Sequence, residues 1–477
     1  MGRMQRIAIR ILAAALAIPL LAGLAYAHTR LQGADPAPDA TVEEPPGRIR
    51  IWFNQPVDVL PDAIVVTGPD GARIDADDAA LDPEDRRAIV ATLRATQAGV
   101  YTVQWRVLST DGHPVSGSYR FEVANPAPPP MEDTAADLHA TTAVASTDAP
   151  APPAARAGHL SSPPGAIGLR VARGLHLLAL IAALGPLVFV LAVLGPRSTP
   201  GINARALRIG RLGAWLLPVA ALVMLVAQAA ALAGSAAGGL GGEMLGAVLG
   251  TQWGKLWLAR LVAALILIGI LDRAVAVADR PFGSLRPAAA AGLLVGLALV
   301  VLTSLNGHAA AAEKPWVAVA GDAIHLLAAV AWLGGLLALR FGLYPALGDR
   351  APHERRAVLA DAVPRFSTLA LTCVLALVAT GLYQAYAYLG DAAAPLRSPY
   401  GATLAGKLAL VALVMIPAAV NLLVVRPRLA SGTSRDAGDA AAENAVQTLR
   451  RLVTLEAAIG LLIVAVVAVL TTLPPPG

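Results

Sequence analysis

Three residues of this chain offer the nitrogen and oxygen donors of a metal chelate: His28, Asp111 and His113. The first depends on processing. Arg3, Arg6 and Arg10 form a basic start, an apolar run follows from Ile11 to Leu24, and Ala25-Tyr26-Ala27 supplies the small-x-small pattern that signal peptidase reads. Cleavage after Ala27 makes His28 the amino terminus. An uncleaved anchor helix is the alternative, since the run is nearly long enough to span a bilayer. A terminal histidine presents its free amine and a ring nitrogen to one metal. Asp111 and His113 lie two apart in "STDGHPVSG", where Gly112 permits a bend and Pro114 stiffens the exit. Taken alone, Asp-Gly-His-Pro also reads as a plain turn. Together the three residues supply three nitrogens and an oxygen, the tetragonal set that Cu(II) prefers.

A second group lies in apolar sequence. His176 and His325 each fall in a long apolar segment, Asp322 precedes His325 by one helical turn, and "SLNGHAA" places His308 after Asn306. Ionisable groups at membrane depth are costly and usually functional. Neutral imidazoles suit copper, and Asp322 could orient the His325 ring or add a ligand. The plainer reading is a histidine that hydrogen-bonds a neighbour. Lys255, Arg260 and Lys407 are poor ligands and are expected to snorkel or pair near the outer interface. Glu456 is expected to meet an inner-loop arginine. Met244 is expected in a loop, as the one methionine near the outer face of the bundle. Cys373 is the one thiol, so imidazoles are the expected first ligands there.

Composition indicates what must position these residues. The 477-residue chain has a mean hydropathy of +0.62 and 14% charged residues, which fits a polytopic membrane protein. The expected organisation is a signal peptide at 1–27, a β-domain at 28–124, a Pro/Ala-rich linker at 125–165 and a membrane domain at 166–477. Linker histidines His139 and His159 sit in low-complexity sequence, which rarely holds a defined site. Residues 28–125 carry nine arginines against fifteen Asp and Glu, a net −6. Such a domain attracts cations rather than nucleic acid, although solubility alone would account for the charge. One cysteine excludes a disulfide framework.

Within the exported region, 48–57, 63–68, 86–93, 99–109 and 117–124 alternate in the manner of strands. They predict a small β-sandwich or Greek-key barrel with Trp52, Phe53, Tyr101, Trp105 and Phe121 in its core. After the linker come eight apolar segments, at 167–194, 206–234, 253–277, 287–306, 317–345, 365–390, 401–425 and 450–472. Each is long enough to cross the hydrocarbon core. Arginines cluster in alternate loops, for example Arg205 and Arg208, Arg273 and Arg280, Arg355 and Arg356, Arg426 and Arg428. The positive-inside rule then puts the linker and the C-terminus outside. "RGLHLLALIAALGPL" matches "DAIHLLAAVAWLGGL", aligning His176 with His325 and Gly185 with Gly334. Gln228 likewise falls on Gln384, Lys255 on Lys407 and Gly292 on Gly460. A four-helix unit used twice, with its halves parallel, is the expected bundle.

"AHTRLQGADPAPDATV", "RIRIWFNQPV" and "STDGHPVSGSYRFEV" resemble the CopC family of periplasmic copper-binding domains. "HLLAAVAWLGGL" and "SPYGATLAGKLAL" resemble the CopD family of membrane domains, and the order of modules is that of CopC–CopD fusions. The first resemblance implies a cupredoxin-like Greek-key sandwich binding Cu(II) at His28, Asp111 and His113. No methionine lies between His28 and Phe121, so a thioether Cu(I) site is not expected there. The second resemblance implies copper movement across the bacterial inner membrane, with uptake as the direction and Cu(I) open for the bundle. Copper ions and the lipid bilayer are the expected partners. No P-loop motif is present to couple ATP, no catalytic role is expected, and oligomeric state stays open. Copper storage or sensing, a histidine-brace oxidase and a haem-binding carrier on His176 and His325 are the competing readings.

Overall fold

Alternation of apolar and polar residues builds two four-stranded sheets in the N-terminal part, one with strands 31–35, 48–53, 88–92 and 80–81 side by side in that order, the other with 41–42, 114–123, 99–109 and 57–67. The computed structural model describes residues 29–125 apart from 96, 110, 111 and 113. It also describes 166–473 apart from 234–240, 313, 349, 390–397 and 431–436. The chain divides into two units, a β-unit beginning at Thr29 and a helical unit from Pro163 onward.

The strands are β1 (Leu31–Asp35), β2 (Thr41–Val42), β3 (Arg48–Phe53), β4 (Val57–Thr67), β5 (Ala80–Leu81), β6 (Ala88–Thr92), β7 (Gly99–Ser109) and β8 (Pro114–Val123). In β3 the period of two buries Ile49, Ile51 and Phe53. Trp52 was expected in the core. That same period turns it to the opposite face, where it covers Gly33 and lies under the Arg50 guanidinium at 5.5 Å. The other four expected aromatics are buried. Phe53 meets Trp105 edge to face, and Tyr101 stacks on Phe121, both with ring centroids 5.2 Å apart. Val57 begins β4 rather than ending β3. β4 runs through the expected break because a register shift between Val59 and Ile64 absorbs the irregular stretch. Asp62 takes a φ of 53° there, a conformation that aspartate tolerates.

The helical unit contains α1 (Ala166–Val188), α2 (Pro200–Ala233), α3 (Gly242–Gly250), α4 (Gln252–Ala276), α5 (Phe282–Ser304), α6 (Pro315–Leu337), α7 (Pro352–Leu389), α8 (Pro399–Val420) and α9 (Ala437–Leu470). Among the described residues, eight helices are long and apolar enough to cross a membrane; α3 is the short exception. The expected pairing of a β-sandwich with an eight-helix membrane bundle holds. Met244 lies in α3, not in a loop. α7 starts at Pro352 rather than 365, because Pro364 is carried inside the helix.

The two halves of the bundle repeat several structural features. α1 crosses α6 at Gly185 and Gly334, the pair aligned in the sequence. A Cβ on Gly185 would stand 2.2 Å from the Gly334 Cα, and one on Gly334 would stand 2.4 Å from the Gly185 Cα. α1 also packs on α9, and in the equivalent relation α6 packs on α5. Each central helix ends in a π-helical turn, Phe189–Leu194 after α1 and Ala338–Leu343 after α6. These turns occupy matching positions in the register that aligns His176 with His325. A third π turn, Asn421–Val425, follows α8.

Candidate metal centre

His28, Asp111, His113, His139 and His159 lie outside the described residues. Their neighbours are described. Thr29, next to His28, is buried, and its Oγ1 donates to Ser109 Oγ at 2.9 Å. Gln55 Nε2 donates to Thr29 Oγ1 at 2.5 Å. Ser109 is the last residue of β7, two positions before Asp111. Arg30 continues the attachment, its amide donating to Asn54 Oδ1 at 2.8 Å. Between β7 and β8, Gly112 has a φ of 81° and donates its amide to the Ser109 carbonyl at 2.8 Å. A left-handed residue is what this tight connection requires, and glycine adopts it without steric cost.

The membrane histidines are each held inside their own half of the bundle. His176, on α1, is 6% exposed and lies with Nε2 3.1 Å from Thr303 Oγ1 of α5. His325, on α6, is half-buried, with Nδ1 2.8 Å from Thr380 Oγ1 of α7. The hydroxyls decide the tautomers. Thr303 gives its proton to the Leu299 carbonyl at 2.7 Å, and Thr380 gives its own to the Ala376 carbonyl at 2.6 Å. Each threonine oxygen therefore accepts from its imidazole. In the neutral ring this leaves a lone pair on Nδ1 of His176 and on Nε2 of His325. A ring whose other nitrogen is fixed by a hydrogen bond is the usual state of a metal-ligating histidine.

The polar surroundings of the two rings differ. Near His325, the Asp322 carboxylate accepts from Gln384 Nε2 at 3.3 Å, and Lys407 lies within its electrostatic reach. Arg173 holds the position aligned with Asp322 and bonds the Thr471 carbonyl. His176 lines a small cavity together with Met224, Trp257 and Arg260. Two expectations, for Arg260 and for Glu456, fail here. Arg260 does not snorkel: it is 6% exposed, turned into the bundle by the α4 face that also buries Trp253 and Trp257. Met224 of α2 also shares the His176 cavity. Glu456 meets Asn421 of the third π turn, not an inner-loop arginine. His308 opens a short 3-10 turn, His308–Ala311, and the preceding Asn306 is buried. Among the described residues no group of three His, Cys, Asp or Glu lies close enough to hold a metal ion.

Thr29, Ser109, Gln55, Thr303 and Thr380 carry no sequence signal of their own. The alignment of His176 with His325 was the available pointer to two of them.

These features define a class: a polytopic helical membrane protein of two related halves, carrying a small β-sandwich. The CopC domain family matches residues 31–124. The family described as copper resistance protein D-like, N-terminal domain, matches 164–316, and copper resistance protein D matches 360–470. By these matches the chain belongs to the CopC–CopD copper-resistance family, and it is a copper-handling protein. It is 25% identical over 453 residues to copper transport protein CutJ of Bacillus subtilis, covering 94% of this chain and 75% of that one. It is 31% identical over 115 residues to copper resistance protein C of Xanthomonas campestris pv. juglandis, covering 22% of this chain and 88% of that one. The crystal structure of CopC from Methylosinus trichosporium OB3b aligns at 28% identity and a TM-score of 0.19, covering 20% of this chain and 94% of that one.

Proposed function

We propose that the β-unit captures Cu(II) outside the cell membrane through His28, Asp111 and His113, and that the helical unit moves copper inward. The observation that carries this reading is the buried Thr29–Ser109 bond. It ties the residue after His28 to the strand end that leads into Asp111 and His113. Consecutive Cα atoms lie about 3.8 Å apart, so the covalent chain limits how far these donors can stray from one another. The net charge of −6 on this region favours a cation. CutJ, related along nearly the whole chain, is named a copper transport protein.

A bare cation in the hydrocarbon core is prohibitively unfavourable, so copper must meet ligands within the bundle. His325 with Asp322, and His176, are the proposed ligands, with His308 serving entry. Imidazole accepts either copper valence, and the Met224 thioether in the His176 cavity suits Cu(I). The test is radioactive copper uptake into vesicles of defined orientation. Vesicles containing the protein should accumulate copper. His325→Ala, or one extra residue placed before His28, should reduce accumulation sharply at matched protein levels. Uptake no greater than that of protein-free vesicles would refute the transport reading.

A further inference from the structure

We propose that the cavity between α1, α2, α4 and α5 binds a small monovalent anion of the halide class on Arg260. Arg260, within the apolar span α4, is only 6% exposed, and its Nε has no hydrogen-bond partner among the described residues. Its Nη2 donates to Met224 Sδ at 3.9 Å, a weak acceptor. Among the described residues no ion pair joins Arg260 to a carboxylate, and a second cation, Arg173, lies within its electrostatic reach. Trp257 offers it no acceptor, since the indole N–H is a donor only and gives its proton to the Ala221 carbonyl at 2.8 Å. Thr303, bonded to His176, is likewise committed to Leu299.

Arginine cannot shed its proton to escape such a site. An uncompensated buried charge is among the costliest groups a membrane bundle can hold. Water in the cavity would solvate Arg260 without neutralising it. The cavity measures about 10 Å³, room for one water-sized occupant. Apart from Arg260 and His176, its walls are Leu217, Ala221, Met224, Trp257, Ala264 and Leu299. One cation among mostly apolar walls in so small a space selects a compact, singly charged anion over polyatomic or doubly charged ones. Sulfate and carboxylates are too large. Arg260 also opposes a lone cation on His176, so a resident anion makes this cavity compatible with copper. The halves then differ in charge: Asp322 stands beside His325, while Arg260 stands beside His176.

The site is testable without copper, so its failure is distinguishable from failure of the transport reading. The full chain in lipid nanodiscs would be melted in chloride, gluconate or sulfate at constant ionic strength. Chloride should raise the melting temperature saturably, by ~2–4 °C, with gluconate and sulfate inert. Arg260→Gln should abolish the chloride response while melting in gluconate no lower than the parent, since it removes an unpaired charge. Arg260→Lys keeps the charge but loses the Nε–H, and should need roughly tenfold more chloride. No chloride-specific rise in the parent protein would overturn the proposal. So would an equal rise in Arg260→Gln, or an unchanged chloride midpoint in Arg260→Lys.

Discussion

Thr380 directs its proton to the Ala376 carbonyl, so His325 donates from Nδ1 and keeps a lone pair on Nε2. Thr380→Val removes that acceptor. The buried N–H then loses its partner, at a cost of about 1–3 kcal/mol, or the ring turns and takes Nε2 away from a metal. Copper accumulation should fall ~10–100-fold, the usual effect of losing a hydrogen bond behind a ligand, and Thr380→Ser should restore it. Full accumulation by the valine variant would show that His325 does not hold copper through Nε2. In the β-unit, Asp75 offers a pH test. Burial pushes its carboxyl upward, but bonds from Arg73 at 2.9 Å and from the Val66 amide at 2.8 Å outweigh it and hold the group below its ordinary value. Folding is therefore stabilised above the ordinary aspartate value of 3.8, and that stability is lost as pH falls through the folded value. Melts of the β-unit should drop on acidification below about pH 4, and Asp75→Asn should flatten that drop. A parallel pH profile in the two proteins would remove Asp75 as the cause.

Between elements, the α1–α6 crossing is the tightest point of the bundle, because the Gly185 and Gly334 backbones touch. No side chain fits there without parting the helices, and close approach over small residues is how membrane helices gain packing energy. Gly185→Leu should destabilise the bundle by more than the ~1–3 kcal/mol typical of overpacking. Gly201→Ala, with open space around its position, should be neutral. Thermal aggregation of the two variants in one detergent would show it, and equal midpoints would contradict the crossing. The π turns that follow α1 and α6 stand at equivalent places in the sequence register that aligns His176 with His325. Such turns often mark functional sites in helices, so this pair belongs on the same map as the histidines.

Across the whole molecule, eight spans return the C-terminus to the side from which α1 enters. The arginine-rich loops lie on the opposite side, which the positive-inside rule predicts to be the cytoplasmic one. Alkaline phosphatase fused after Gly477 should be active, and the same enzyme fused after Arg350 should be inactive. The reverse pattern would invert the bundle and remove an inward direction of transport. Much of this architecture was legible in the sequence: the period of two in β3 and β7, the eight apolar runs, and the register relating His176 to His325 and Gly185 to Gly334. These are local patterns, written by burial along single elements. The donors assigned to Cu(II) were legible as residue types, through the cleavage pattern and the Asp-Gly-His-Pro turn. What only the tertiary structure decided is who meets whom. Thr29 and Ser109 are 80 positions apart, His176 and Thr303 are 127, His325 and Thr380 are 55, and Met224 and Arg260 are 36. A helix that is apolar all round carries no stripe to say which face turns inward. Its rotation is set by packing against its neighbours: two glycines seat α1 on α6, and the α4 face that buries Trp253 and Trp257 also turns Arg260 in toward His176.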